Sequence, residues 1–74
     1  MNAATERLGI VLNDRPHELA GPATLLALLG GLGFDGKRGV AAAVNGEVVP
    51  RAAWETRVLA ERDRVIVIRA TQGG

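Results

Sequence analysis

The sequence predicts an α+β domain in which one main helix packs across a mixed sheet of four to five strands. Short apolar segments bounded by turn-forming residues lie towards both ends of the chain, and one leucine-rich segment with helical spacing separates them. Strand segments that flank a single amphipathic helix are typical of an α+β sheet with the helix on one face. The chain has 74 residues, which is enough for one compact core and no second lobe.

The first two strands are predicted to form a hairpin. Leu8 to Leu12 is an apolar segment, and the turn-forming segment Asn13 to Pro16 follows it. The returning strand, His17 to Ala20, is short, and Gly21-Pro22 ends it. We interpret His17 as a partly exposed strand or turn residue rather than a general base, because a base needs a reacting partner held nearby.

The predicted helix begins after Thr24, whose side chain suits the N-cap position. The residues that follow at the three- and four-residue spacing of one helical face are Leu25, Leu28, Leu29 and Leu32. Gly30, Gly31 and Gly33 are predicted to end the helix. A domain this small needs the leucine stripe for its own core, so a partner-binding helix is the weaker interpretation.

A second hairpin is predicted around Asn45-Gly46, because a type I′ turn needs positive φ at both central residues. Its strands are Val40 to Val44 and Glu47 to Val49. Ala52 to Arg57 is predicted to form a helical turn. This segment contains Trp54, which we interpret as a packing residue, because the chain has few other large side chains.

The glycine-rich segment Gly31 to Gly36 matches the dinucleotide-binding pattern GxGxxG, and with Lys37 it begins a P-loop pattern. A phosphate-binding glycine loop follows a strand and opens a helix, whereas this segment is predicted to close a helix and lead into a strand. Arg38 also stands where a P-loop has Ser or Thr. We therefore interpret the segment as helix-terminating glycines followed by a loop.

Composition limits the chemistry of the chain. It contains no cysteine, serine or tyrosine and one histidine, which leaves almost nothing for covalent catalysis and excludes thiolate and multi-histidine metal sites. We predict that it is not an enzyme by itself. With a net charge of +1 and two aromatic residues, the chain has few groups that would bind nucleic acid. The absence of cysteine, of a secretory signal in residues 1–7 and of a membrane-spanning segment predicts a cytoplasmic protein that binds no membrane.

The C-terminal segment Thr71-Gln72-Gly73-Gly74 is uncharged and follows the last predicted strand, Val65 to Ile68. Glycines carry no Cβ, so this backbone can pass through a constriction that stops other residues. A frayed terminus is the ordinary interpretation of such an ending. We predict instead that this tail is the working part of the chain, with the Gly74 carboxylate as the group that it presents.

Two groups of residues carry a resemblance to a known family. The order of elements resembles the β-grasp (ubiquitin-like) fold. The segment from Val44-Asn45-Gly46 through Val49-Pro50-Arg51 and Trp54, together with Gly73-Gly74, resembles ThiS, the sulfur carrier family of bacterial thiazole (thiamine) biosynthesis. The Val-Pro-Arg-x-x-Trp part is more specific than the diglycine, which all ubiquitin-like carriers share.

The resemblance covers roughly residues 8 to 74 and gives a predicted domain organisation. Residues 1–7 form an N-terminal extension, residues 8–70 a β-grasp domain, and residues 71–74 a flexible tail. Two features depart from the family pattern. Members of the family usually begin their first strand without such an extension, and Arg62-Asp63 stands where Gly-Asp is common.

The resemblance implies that the chain is a protein substrate. An E1-like adenylyltransferase would use ATP and Mg²⁺ to adenylate the Gly74 carboxylate, and sulfur from a cysteine desulfurase or another donor would convert it to a thiocarboxylate. A thiazole synthase would accept that sulfur. The chain itself would bind no cofactor. In this scheme Thr71, Gln72 and Gly73 thread into the partner.

We expect the docking surface to be the exposed sheet face near the tail. Arg51 and Arg69 are candidates for ion pairs to an acidic partner, and ordinary solvated surface charge is an equally good interpretation of both.

Three alternatives remain open. The small sulfur-carrier subunit of molybdopterin synthase shares the fold, the tail and the activation chemistry, but the Val-Pro-Arg…Trp segment argues against it. The chain could instead be a noncatalytic ubiquitin-like interaction module whose Gly73-Gly74 is incidental, or a ubiquitin-like modifier that is conjugated to lysines.

Overall fold

The computed structural model describes residues 7–34 and 39–69. In this part of the chain the elements are, in order, β1 (Leu8–Leu12), β2 (Arg15–Leu19), α1 (Leu25–Gly31), β3 (Val40–Val44), β4 (Glu47–Val49), a 3₁₀ helix (Arg51–Ala53) and β5 (Arg64–Arg69). The strands form one five-stranded sheet in the order β2-β1-β5-β3-β4. The predicted α+β fold is therefore confirmed. Except for Arg7, the predicted extension and tail lie outside the described residues.

The last strand occupies the centre of the sheet. It pairs in parallel with β1 through Val11↔Arg64 and Leu12↔Val65. It pairs antiparallel with β3 over five positions, from Val40↔Arg69 to Val44↔Val65. The two hairpins lie on either side of it. As a result, β5 has a neighbour on each side at its start, and its last residue, Arg69, pairs with β3.

Both hairpins turn within two residues, and every central residue has positive φ. Asn13 and Asp14 have φ of 49° and 66°, and Asn45 and Gly46 have φ of 53° and 84°. The second turn agrees with the prediction. The first is shorter than predicted, because Asn and Asp tolerate the left-handed conformation and so close the turn by themselves. The next two residues, which we predicted to be in the turn, already belong to β2.

Pro16 is accommodated in β2 because this is an edge strand, where a missing backbone N–H leaves no ladder partner unpaired. His17 lies in β2 opposite Ile10 and is partly exposed, as predicted. Val58 makes an isolated antiparallel bridge with Thr24, which ties the segment before β5 to the start of α1.

The helix begins as predicted, because the Thr24 hydroxyl oxygen accepts a hydrogen bond of 3.1 Å from the Ala27 backbone N–H. Its end differs from the prediction. Gly30 and Gly31 are the last two residues of α1. Leu32 is the exposed C-cap residue and does not belong to the buried stripe. Gly33 follows with φ of 85°, which is the left-handed conformation that turns the chain out of the helix.

The core lies between α1 and one face of the sheet. Its largest fully buried side chain is Trp54, which is 1% exposed and donates a 2.9 Å hydrogen bond from Nε1 to the Val49 carbonyl oxygen. The interpretation of Trp54 as a packing residue is confirmed. The helical turn predicted from Ala52 is instead a 3₁₀ helix that begins at Arg51 and ends just before the tryptophan. The other buried apolar residues are Ile10, Leu25, Leu28, Leu29, Ala42, Val44, Val49, Leu59, Val65 and Val67.

Candidate functional site

The central strand β5 is apolar on both faces. Val65 and Val67 are buried on the side that α1 covers. Ile66 and Ile68 project from the opposite side, where they are 38% and 60% exposed. The helix covers only one face of this sheet, so the second apolar row of the strand remains in solvent.

Neighbouring strands extend this exposed row into a patch, which we call the apolar face: Ala41, Ala43, Val48, Ile66 and Ile68. Cross-strand pairing places Val48, Ala43 and Ile66 in one line across three strands, and Ala41 beside Ile68 in the next. A shallow hollow of about 60 Å³ lies among them. Val48 is 75% exposed. A contiguous apolar patch on a small domain marks an interaction surface more often than a lone exposed side chain does.

A larger cleft of about 480 Å³ opens at the other end of the strand, between the two hairpin turns. Val11 and Ile66 contribute apolar surface to it, and Asp14 and Arg64 contribute charged groups. Ile66 lines both the cleft and the hollow of the apolar face. The two depressions are therefore parts of one continuous surface along β5.

Side chains of the second hairpin hold the start of β5 in place. Asn45 Oδ1 accepts a 2.9 Å hydrogen bond from the Arg64 backbone N–H, and Asn45 Nδ2 donates one of 2.9 Å to Asp63 Oδ1. The second carboxylate oxygen of Asp63 accepts a 2.8 Å bond from the Ala60 backbone N–H. The sequence predicted Asn45 only as a turn residue. The Asp63 partner lies 18 positions away, and no local pattern connects the two.

The ThiS family model matches residues 10–74. The chain belongs to the ThiS family. The match runs from the middle of β1 to the C-terminal diglycine, so the resemblance predicted from the sequence is confirmed.

Two solved structures of a family member have the same fold. The chain is 25% identical to the thiamine biosynthesis protein ThiS of Geobacter metallireducens in a crystal structure, with a TM-score of 0.76 over 90% of this chain and 100% of that one. An NMR solution structure of a thiamine biosynthesis protein from Geobacter metallireducens gives 25% identity and a TM-score of 0.75, over 90% and 88% of the respective chains. The search of curated proteins found no match.

The two arginines predicted to dock a partner of this ThiS family chain lie away from the apolar face. The Arg51 guanidinium carbon lies 4.6 Å from the centroid of the Trp54 ring. The Arg69 side chain projects from β5 on the same side as the buried Val67, and its guanidinium carbon lies 5.6 Å from the centroid of the Phe34 ring. Both residues are exposed to solvent. Their roles in docking stay predictions.

The predicted tail of Thr71, Gln72, Gly73 and Gly74 lies outside the described residues, and its function stays a prediction. Among residues 7–34 and 39–69, no group of three or more His, Cys, Asp or Glu side chains is placed to hold a metal ion. The same residues include no helix that is long and apolar enough to cross a membrane.

Proposed function

We propose that this chain is a sulfur carrier of thiamine biosynthesis and that the C-terminal carboxyl group of Gly74 carries the sulfur atom. The family match carries the proposal, because it extends to Gly74 and so includes the diglycine. The central position of β5 supports it, since the strand that leads to the tail is paired on both sides. In this proposal the chain is a substrate of other enzymes in the cytoplasm.

The chemistry requires activation before sulfur transfer. A carboxylate is a poor electrophile, so an E1-like adenylyltransferase first joins the Gly74 carboxylate to AMP from ATP, with Mg²⁺, and releases pyrophosphate. A persulfide formed on a cysteine desulfurase or another donor then attacks the acyl carbon, and AMP leaves. A thiol reductant supplies the two electrons that cleave the resulting acyl disulfide, which releases the thiocarboxylate. A thiazole synthase accepts the sulfur, and water restores the carboxylate for another cycle.

The tail supplies reach and a narrow cross-section. Four extended residues span at most about 13–14 Å, which is enough to enter a recessed active site from the surface of the domain. Gly73 keeps the chain free of side-chain atoms next to the reacting group. Gln72 and Thr71 are uncharged and offer hydrogen bonds to the walls of a channel without the desolvation cost of a charge.

The apolar face is the proposed docking surface for the activating enzyme. It lies on β5, the same strand that leads to the tail, and it is continuous with the cleft between the two hairpins. Burying its aliphatic side chains would contribute about 25 cal/mol for each Å² of apolar surface removed from water. Arg51 and Arg69 lie away from this patch and remain candidates for ion pairs to an acidic partner.

Two assays test the proposal: adenylation of the chain by the E1-like partner, and transfer of sulfur from the charged chain to one of two acceptor enzymes. An E1-like partner should catalyse ATP–pyrophosphate exchange only when the chain is present, and removal of Gly74 should abolish the exchange. The charged chain should then pass sulfur to a thiazole synthase and not to the large subunit of molybdopterin synthase. The reverse preference would favour the molybdopterin alternative. An isopeptide adduct on lysines would indicate a modifier, and full partner function without Gly74 would indicate an interaction module.

A further inference from the structure

The end of β5 is attached to the loop after α1 by a side-chain stack. The Arg69 guanidinium carbon lies 5.6 Å from the centroid of the Phe34 ring, within the range of an attractive cation–π contact. Arg69 is the last residue of β5, and the four-residue tail begins two positions later. The contact therefore joins the base of the tail to the helical side of the domain.

We propose that Phe34 is a positioning residue: its ring holds the Arg69 side chain and so fixes the end of β5, from which the chain continues to the tail. This inference rests on the proposed function and deepens it. It also gives Arg69 a role different from an ion pair with the partner. The guanidinium acts within the chain, on the segment that presents the Gly74 carboxylate.

Phe34 is suited to this role because it is itself fixed. Its backbone N–H donates a 2.8 Å hydrogen bond to the Leu29 carbonyl oxygen in the last turn of α1. Its partly buried ring packs against the hydrophobic core. Gly33, with φ of 85°, turns the chain so that Phe34 returns towards the sheet. The ring is thus anchored to the helix, and Arg69 is anchored to β3 by its pairing with Val40.

A fixed tail base is useful because the reacting carboxylate has to reach one point in the partner. A docked carrier whose tail samples fewer directions places that carboxylate in the active site for a larger share of the time. The stack should therefore affect the rate within the complex more than the affinity of docking. An ion pair between Arg69 and the partner would have the opposite signature, because it stabilises the complex itself.

The experiment compares Phe34→Leu, Arg69→Gln and the double variant in single-turnover adenylation, with Kd for the partner measured in parallel. Phe34→Leu keeps an apolar side chain of similar volume, and Phe34→Tyr keeps the ring. Arg7→Gln is the matched control, since Arg7 is an exposed arginine before β1 that pairs with Glu18 instead of an aromatic ring. All variants should retain cooperative unfolding.

We expect Phe34→Leu and Arg69→Gln each to lower the adenylation rate roughly two- to fivefold, in line with one cation–π contact. Kd should stay unchanged, the double variant should be no slower than either single one, and Phe34→Tyr and Arg7→Gln should match the unaltered chain. A weaker Kd for Arg69→Gln with no effect of Phe34→Leu would overturn the proposal in favour of a direct ion pair.

A second readout separates this inference from the proposed function. In the isolated chain, the Arg69 side-chain protons should show an NMR ring-current shift that disappears in Phe34→Leu and persists in Phe34→Tyr. If the unaltered chain shows this shift but is never adenylated, the proposed function fails, and with it the role in presenting the tail. If the chain is adenylated but the shift is missing, the positioning role alone fails.

Discussion

The side-chain amide of Asn13 pairs with the backbone of Val67, 54 positions later in the chain. Asn13 Oδ1 accepts a 2.8 Å hydrogen bond from the Val67 N–H, and Nδ2 makes a longer contact of 3.4 Å to the Val67 carbonyl oxygen. The backbone pairing of β1 with β5 covers only two positions. The turn residue therefore extends this parallel pairing with its side chain, at the strand that leads to the tail.

Replacing Asn13 should destabilise the fold through this link. Asn13→Ala removes both contacts and places an alanine at φ of 49°, so we expect it to lower the free energy of unfolding by about 1–3 kcal/mol. Asn13→Gly is the matched control, because it also removes the contacts but accepts the left-handed conformation. It should lie between Asn13→Ala and the unaltered chain in urea unfolding. An unchanged midpoint for the glycine variant would contradict this prediction.

Arg62 should be a site where glycine stabilises the domain. It has φ of 71°, although its side chain carries a Cβ. Arg62→Gly removes the strain at some cost in unfolded-chain entropy, so we expect a net gain of about 0.5–1 kcal/mol in the free energy of unfolding. The departure from the family pattern noted in the sequence thus has a local energetic consequence.

Arg57→Gly is the control for this prediction, since Arg57 is not among the residues with positive φ. The same change there should lower stability, because glycine adds unfolded-chain entropy and removes a partly buried side chain. Thermal and urea unfolding of the two variants gives the comparison. Equal destabilisation by both would contradict the account of Arg62.

The apolar face should be required for docking but not for folding. Val48→Asp and Ile68→Asp place a carboxylate at positions that are 75% and 60% exposed, so the isolated domain should stay folded. An unpaired charge in an apolar interface should weaken binding of the activating enzyme by at least about tenfold. Calorimetric titration or adenylation as a function of carrier concentration measures this loss.

Val58→Asp is the matched control for the apolar face. Val58 is also an exposed aliphatic residue, at 62%, but it does not belong to that patch. We expect it to bind the partner as the unaltered chain does. If all three aspartate variants lost affinity equally, added charge in general, and not this surface, would be the cause.

Gly73 should tolerate no branched side chain during activation. Gly73→Val should leave stability unchanged and abolish adenylation, and Gly73→Ala should have an intermediate effect, because the obstruction grows with each added atom only in the threaded state. Stability by urea unfolding and pyrophosphate release by the E1-like partner are the two measurements. Normal turnover of the valine variant would refute the threading model.

The local chemistry of the chain predicted most of the fold. The Thr24 cap, the leucine spacing after it and the Asn45-Gly46 turn depend on neighbouring residues, so they could be identified without a structure. The bounds of the first turn and of the helix end were less accurate. Asn and Asp at positive φ shortened the turn, and two glycines remained in or beside the last helical turn.

Contacts between distant residues could not be predicted from the sequence. Asn13 reaches Val67, and Arg69 stacks on Phe34, only because the sheet order brings β1, β5 and the end of α1 together. All four residues from Val65 to Ile68 are apolar, so the sequence did not show which face of this strand is buried. Such a run is typical of a strand that is buried on both sides. The structure shows one face buried and the other uncovered.

The central claim is that Gly74 carries sulfur, and intact mass spectrometry tests it most directly. The chain would be incubated with its E1-like partner, ATP, Mg²⁺ and a sulfur donor, beside a chain lacking Gly74. We predict a mass gain equal to the replacement of one oxygen by sulfur, mapped to the C-terminal peptide and absent from the shortened chain. Neither an adenylate nor a mass gain, with a partner that activates another carrier, would contradict the claim.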